Sequence, residues 1–509
     1  MTVTTATLTF LTVNDVYDVV PNEQGRGGMA ELATLLQAER AIIPSTHHTL
    51  TTINGDFLSA SQAGEHYKGA HMIDILNRMD IDYAVYGNHE FDFGSDILVQ
   101  RVAESKFQWF GSNVRDKATG NVLGNGLDTT LFPIASTAQD GAIQVGMFGI
   151  CTPETPQLSF PGDKVEFQDI LGTAKRCVDD LKARGADVII ALTHVSIAHD
   201  KLLAKRVPGI DVIIGGHDHD PFTMYQGKTF IHKSGQNAYW LGRLDFDIRK
   251  ASGKVTVSPA WKMIANQNVT PDAGVEALVH KYMAPFMTAD HLEAGARQLA
   301  VLSLPLVTKT SVMRGEESNF GNLVADAVRQ ELGAQFGVLN GGFVRGDTGL
   351  SEMIESEAGT TSMCLVHEAK SQLTVGIVLK EMPFPRPAVL LRIQARDLKE
   401  ALEQHLRHYP LLSGSFPHVS GLRLTYDRTR NTPEITTFQD ELGNNVDLDD
   451  YVTVATTKFI AGGGDGCVSW KKATLLATDD TIAQVAIRFL EKKRLIAYPE
   501  KEGRVTIVD

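Results

Sequence analysis

Cysteine is scarce: the chain of 509 residues has four, Cys151, Cys177, Cys364 and Cys467. They are far apart and form no Cys-x-x-Cys pair. That excludes a zinc ribbon and a thioredoxin-type motif, and it suits a reducing compartment better than a disulfide scaffold. Positive charge is in deficit, with 48 Lys plus Arg against 61 Asp plus Glu and a formal charge of −13. A general nucleic-acid binder needs a basic surface, so nucleic acid is set aside as a partner. An anionic substrate would need positive charge supplied locally, by metal ions or a few arginines. Apolar runs of about 18 residues are lacking, so no membrane partner is expected. The opening MTVTTATLTFLTVND has no basic segment of the secretory kind and passes directly into a strand-like run. A cytoplasmic location is expected from it. What is present is ordinary for a globular protein, 43% apolar and 21% charged, at a length that suits two to four domains.

The first half alternates strand-like and helix-like segments, the pattern of an α/β domain. Strands are predicted over Leu8–Val13, Thr49–Ile53, Tyr83–Tyr86, Ile143–Ile150, Val188–Leu192 and Val212–Ile214. A strand pair, Lys228–His232 with Leu241–Ile248, is expected to close this half. Met29, Leu32, Ala33 and Leu36 fall at helical spacing, as do Ala174, Cys177, Val178 and Leu181. Thr270-Pro271-Asp272 reads as a helix start with proline in the first turn, running to about Glu293 with Val275, Leu278, Val279 and Tyr282 on one face. These boundaries divide the chain into a first domain over 1–268, a helical connector over 269–298 and a second α/β domain over 299–509 with helices at Asn322–Leu332 and Ala395–His405. Ser351–Ser371 has few large apolar residues and is expected to be an inserted loop.

The informative pattern is where polar residues follow the predicted strands. The first ends in Asn14-Asp15-Val16-Tyr17, the second in Asn54-Gly55-Asp56, and the third in Gly87-Asn88-His89-Glu90-Phe91-Asp92. Two later strands end in Thr193-His194 and Gly215-Gly216-His217-Asp218-His219. The carboxyl ends of strands are where α/β sheets place their sites. Any one of these clusters alone reads as a turn. Together, Asp15, Asp56, Asn88, His194, His217 and His219 are oxygen and nitrogen donors suited to two first-row divalent cations sharing one carboxylate. Two such ions activate a bridging water and clamp an in-line displacement at phosphorus. His89 is then placed to protonate the leaving oxygen, with Asp92 orienting the ring and favouring its charged form.

On these motifs the sequence resembles the calcineurin-like binuclear metallophosphatases. More closely it resembles the two-domain family of 5′-nucleotidases, UDP-sugar hydrolases and 2′,3′-cyclic nucleotide phosphodiesterases. The resemblance covers nearly the whole chain. It implies a four-layer α/β/β/α sandwich followed by a C-terminal α/β substrate domain, an active site in the cleft between them, and open and closed arrangements. It also implies that Asp56 bridges two metal ions (Mn, Zn or Fe), that Asp15 and His219 complete the first site, that Asn88, His194 and His217 complete the second, and that His89 and Asp92 form a catalytic dyad. Tyr17 stands where the family has a histidine ligand; it either ligates, stacks nearby, or leaves the first metal with fewer protein ligands. A tyrosine ligand of the purple acid phosphatase kind would lie three residues after the bridging aspartate, and that position holds Ser59.

The second half carries its own family signatures: Arg314 with Glu317-Ser318-Asn319-Phe320-Gly321-Asn322, Asn340-Gly341-Gly342-Phe343-Val344-Arg345, Pro383-Phe384, Val419-Ser420-Gly421, and Phe459 through Gly466. The resemblance assigns Phe384 and Phe459 to a base sandwich, Asp465 to ribose hydroxyls, Arg314 and Arg345 to phosphate oxygens, and Asn340 to sugar or phosphate. Arg386 replaces the usual glycine-asparagine after Phe384; it either changes substrate preference or forms a structural salt bridge with surface acids, and the salt bridge is expected of it. The stretch from Gly346 to Met382 is longer than the family's usual spacing. The expected substrate is a small-molecule phosphoester, a nucleoside monophosphate first. A 2′,3′-cyclic nucleotide, a UDP-sugar or another phosphoester stays open, as does a nucleotide-binding sensor with weakened catalysis. The sequence leaves oligomeric state open.

Overall fold

The computed structural model describes residues 3–22, 24–136, 141–345, 351–355, 361–367, 370–384 and 386–509. The chain divides into two compact units, Met1–Ala284 and Pro285–Asp509.

The first unit is built on two six-stranded sheets. One runs from edge to edge as Lys254–Ala265, Trp240–Ala251, Val3–Val13, His48–Ile53, Tyr83–Val85 and Gln108–Phe110. The other runs as Pro221–Gln226, Thr229–Ser234, Val212–Gly216, Val188–His194, Ala142–Cys151 and Thr129–Ala135. Central parallel strands read as unbroken apolar runs because both faces are covered, and Val188–His194 is buried at every position. Leu8, Phe10, Val85 and Phe110 of the first sheet meet Ile143, Val145, Ile190 and Ile214 of the second in one core. Helix Met29–Ile42 packs Met29, Leu32 and Leu36 on the far side of the first sheet. Helix Ile170–Ala183 packs Ala174, Cys177, Val178 and Leu181 on the far side of the second. The result is the four-layer α/β/β/α sandwich.

Two local expectations are corrected. The strands over Thr229–Ser234 and Trp240–Ala251 do not pair with each other. The former lies parallel to Val212–Gly216 and the latter antiparallel to Val3–Val13, so they belong to different sheets. Asn237 and Ala238, both at positive φ, turn the chain from one sheet to the other where a hairpin would have kept it in one. Pro271 precedes the helix cap and is not its first residue: Asp272 caps Ala273–Met283, its carboxylate accepting from the amides of Gly274 and Val275. Val275 and Val279 of this helix are buried in the core of the first unit, and a separate helix, Ala289–Ala296, follows in the second.

The second unit centres on a five-stranded sheet ordered Pro417–Ser420, Phe336–Asn340, Tyr451–Thr457, Pro387–Gln394 and Thr474–Thr481. Helices Asn319–Glu331 and Ile482–Lys493 bury their apolar stripes in one core with Leu339, Ala388 and Ala455. Helix Ala395–Leu406 packs in another with Val338, Val389 and Val454, so the sheet is covered on both faces. The expected loop over Ser351–Ser371 contains strands: Ser351–Glu355 and Thr361–His367 pair antiparallel, and the second also pairs with Leu306–Val307. Backbone groups satisfy one another across a ladder whatever the side chains are, so poor apolar content did not preclude strands. Residues 346–350, 356–360, 368 and 369 of that expected insertion lie outside the described residues.

Candidate active site

Strand-end loops of the first unit are tied to one another before any ligand is considered. The Asp15 amide donates to the Gly55 carbonyl at 3.0 Å, and the His217 amide donates to Asp15 Oδ2 at 2.8 Å. The His89 amide donates to Asp56 Oδ1 at 2.7 Å, and His194 Nδ1 lies 2.8 Å from the Asn54 carbonyl. Asp15, Asp56 and His217 all sit at positive φ, 54°, 57° and 78°, a region that non-glycine residues occupy at a cost. Gly216 is required by close approach: a Cβ there would lie 2.1 Å from the Asn54 carbonyl oxygen and 2.8 Å from His194 Nδ1.

Asp56, His194 and His217 bring one donor atom each within 4.8 Å of one another. Asn88 joins them, its Oδ1 lying 3.1 Å from His217 Nδ1. The Asn54 carbonyl takes the Nδ1 side of His194, which leaves Nε2 buried, 3.1 Å from Asp56 Oδ2 and without a hydrogen bond. Asp15 and His219 approach to 3.5 Å. The Tyr17 hydroxyl stands among these groups, 3.1 Å from Asp15 Oδ1, 3.1 Å from His219 Nε2 and 3.4 Å from Asp56 Oδ2. Burial works to raise the Asp15 and Asp56 carboxyls, but the surrounding histidines, His194 foremost, together outweigh it and hold both below the usual range. Burial works to lower the His194 imidazole, yet the same two carboxylates push it up to about 10. In His217 burial and the neighbouring His194 act together and push it down to about 3. A buried imidazole nitrogen aimed at a carboxylate oxygen without a hydrogen bond, beside a second, neutral imidazole, is a donor set that fits a divalent cation.

Beside this set, His89 Nδ1 lies 2.7 Å from Asp92 Oδ2. Asp92 also accepts from the Ser59 hydroxyl at 2.5 Å and the Ser159 hydroxyl at 2.6 Å. Burial acts to raise the Asp92 carboxyl, but His89 and the two serines hold it below the usual range. The carboxylate is therefore fixed and ionised, and it sets the orientation of the His89 ring through Nδ1.

Two supports escaped the sequence reading. Glu90 accepts four backbone amides, from Gly87 and Asp56 on one oxygen and from Phe57 and Leu58 on the other. It thereby locks the Asp56 loop to the Asn88-His89 turn. Burial and the nearby Asp56 charge push it up to about 7 against those hydrogen bonds. Lys233, fully buried, sends its ammonium to Asp218 at 2.5 Å, Asp200 at 2.9 Å and the Val195 carbonyl at 2.5 Å. Asp218 lies between His217 and His219, so this ion pair anchors the loop that carries both histidines. The four-amide cradle had no signal beyond the Gly87–Asp92 motif itself, whereas a lysine in an apolar strand three residues after Phe230 was a visible anomaly.

In the second unit the expected recognition residues also assemble. Asn340 Nδ2 donates to Asp465 Oδ2 at 2.7 Å, and Asp465 sits at φ 55° in its glycine turn. Burial pushes the Asp465 carboxyl up to about 6, while Arg386, Asn340, Arg314 and Arg407 oppose that rise. The Arg345 guanidinium lies 4.8 Å from the Phe384 ring centroid. The Arg386 guanidinium lies 4.7 Å from the centroid of Phe384 and 4.1 Å from that of Phe459. The rings offer this cation a better surface than solvent does.

The sequence profile of the calcineurin-like phosphoesterases matches residues 8–221, and that of the 5′-nucleotidase C-terminal domain matches residues 298–473. A human 5′-nucleotidase is 27% identical over 98% of this chain and 90% of its own. A 5′-nucleotidase precursor from Thermus thermophilus superposes with a TM-score of 0.83 at 24% identity, covering 99% of both chains. The sulfate thiohydrolase SoxB of the same genus has the same fold, with a TM-score of 0.74 at 16% identity over 98% of this chain and 96% of its own.

Proposed function

Because the chain belongs to the calcineurin-like phosphoesterases that carry a 5′-nucleotidase C-terminal domain, we propose that this metal-dependent hydrolase is a 5′-nucleotidase, releasing phosphate from nucleoside monophosphates. The observation that carries the reading is the convergence of Asp56, His194 and His217 beside the His89–Asp92 pair. Asp15, Asp56, Asn88, His194, His217 and His219 would hold two divalent cations, Mn, Zn or Fe, with Asp56 shared. Bound there, the cations supply Lewis acidity toward the phosphoester and its attacking water.

The chain's own residues do the rest. Asp92 holds His89 through Nδ1, so Nε2 delivers the proton to the departing ester oxygen. Ser59 and Ser159 keep Asp92 from turning away. Arg314 and Arg345 balance charge on the phosphate oxygens, Phe384 and Phe459 are the rings on which a base would stack, Asp465 accepts from ribose hydroxyls, and Asn340 holds Asp465 in place. Tyr17 takes part as a hydrogen-bond partner of Asp15 and His219, in the place of a histidine ligand.

That position of Tyr17 also favours one second reading, a nucleotide-binding sensor with a weakened first metal site. The deciding test is phosphate release from AMP by metal-stripped protein reloaded with Mn²⁺, beside 2′,3′-cyclic AMP and bis-p-nitrophenyl phosphate. Metal-dependent release from AMP supports the nucleotidase. Turnover of the diesters alone moves the assignment to a phosphodiesterase. Metal binding with no turnover of any ester gives the sensor.

A further inference from the structure

Arg386 has its backbone fixed at both polar groups. Its amide donates to the Phe384 carbonyl at 2.8 Å, and the Ile482 amide donates to its own carbonyl at 3.0 Å, at the start of strand Pro387–Gln394. From there the guanidinium reaches back over both phenylalanines, its central carbon 4.1 Å from the Phe459 centroid and 4.7 Å from the Phe384 centroid. Those separations are contact distances for a planar cation on a ring face. A nucleobase stacks through the same faces, so base and guanidinium compete for one surface. Arg345, 4.8 Å from Phe384, adds a second cation to the same ring.

Resting on the reading of the second unit as the nucleoside-binding part, we propose that Arg386 is a specificity determinant: it covers the ring faces of Phe384 and Phe459, so that the base adds little to binding and a bare sugar phosphate competes on equal terms with a nucleotide. Entry of a base requires the guanidinium to leave both rings and forfeits two cation–π contacts. A sugar phosphate has nothing to stack and loses nothing. Selection then falls on the sugar and phosphate, and the identity of the base matters little.

The test is the ratio of kcat/KM for AMP to that for ribose 5-phosphate in the full chain, in Arg386→Gly and in Arg386→Asn. The wild-type ratio is expected near one. Both variants are expected to raise it about tenfold or more through a lower KM for AMP, the scale of two displaced cation–π contacts. Using two variants guards against glycine loosening the strand start, since asparagine keeps a polar side chain there. A wild-type ratio well above ten, or a ratio that both variants leave unchanged while AMP is still hydrolysed, overturns the role of Arg386 alone. Hydrolysis of diesters only, by all three proteins, overturns the nucleotidase reading and this inference with it.

Discussion

At the residue level, Asp56 is where the site is most tightly drawn, since one carboxylate faces His194 and accepts the His89 amide. Asp56→Asn is expected to lose bound metal and activity together, read by metal analysis of the dialysed protein and by phosphate release. His89→Ala keeps every proposed ligand and removes only the proton donor. It is expected to retain metal while losing about 10²- to 10⁴-fold on AMP and much less on p-nitrophenyl phosphate, whose leaving group needs no proton. Equal losses on the two esters would remove His89 from that role. Asp465 supplies the pH dependence. Its carboxyl is raised to about 6, so it is ionised above that pH and protonated below it. As pH falls through 6 the carboxylate proposed to accept from the ribose hydroxyls is lost, and KM for AMP is expected to rise. In Asp465→Asn that part of the profile should be flat.

At the level of elements, the loop that carries His217 and His219 depends on the strand Thr229–Ser234, through Lys233. Lys233→Met leaves Asp200 buried without its cation, and breaking a buried pair in this way costs about 3–5 kcal/mol. The expected result is a lower urea midpoint together with weaker metal retention. A lower midpoint with full metal content would show that the pair stabilises the fold without positioning the histidines. The strand ends were legible in the sequence because each apolar run stops abruptly at Asp, Asn or His, and both the strand and its cargo are local. What was not legible is long-range. Ser159 reaches Asp92 across 67 positions and Lys233 reaches Asp200 from a different element, and neither spacing has a period to read. The partners of Thr229–Ser234 and Trp240–Ala251 differ from expectation for the same reason, since sequence proximity suggests a hairpin and only the sheets decide. Arg386 was visible as a departure from the family pattern, but its destination depended on where Phe459 comes to lie.

For the whole molecule, the two units have separate hydrophobic cores, and the candidate metal ligands all belong to the first. A ligand that binds only one folded unit stabilises that unit by mass action. Calorimetry is therefore expected to resolve two unfolding transitions, of which a chelator lowers one and leaves the other in place. A single transition that moves as a whole would mean the units unfold cooperatively.

The left-handed backbone at Asp15, Asp56 and His217 has a consequence for descent. Glycine would relax the backbone at each, by about 1–3 kcal/mol where the strain is greatest, but at Asp15 and Asp56 it would also strip the partner from the His217 and His89 amides, so His217 is the position with stability to gain. Random mutation at His217 therefore pushes toward a sturdier, inert protein, and selection for turnover has to push back at that codon in every generation. A descendant released from catalysis would be expected to shed His217 first, and to melt at a higher temperature for having done so.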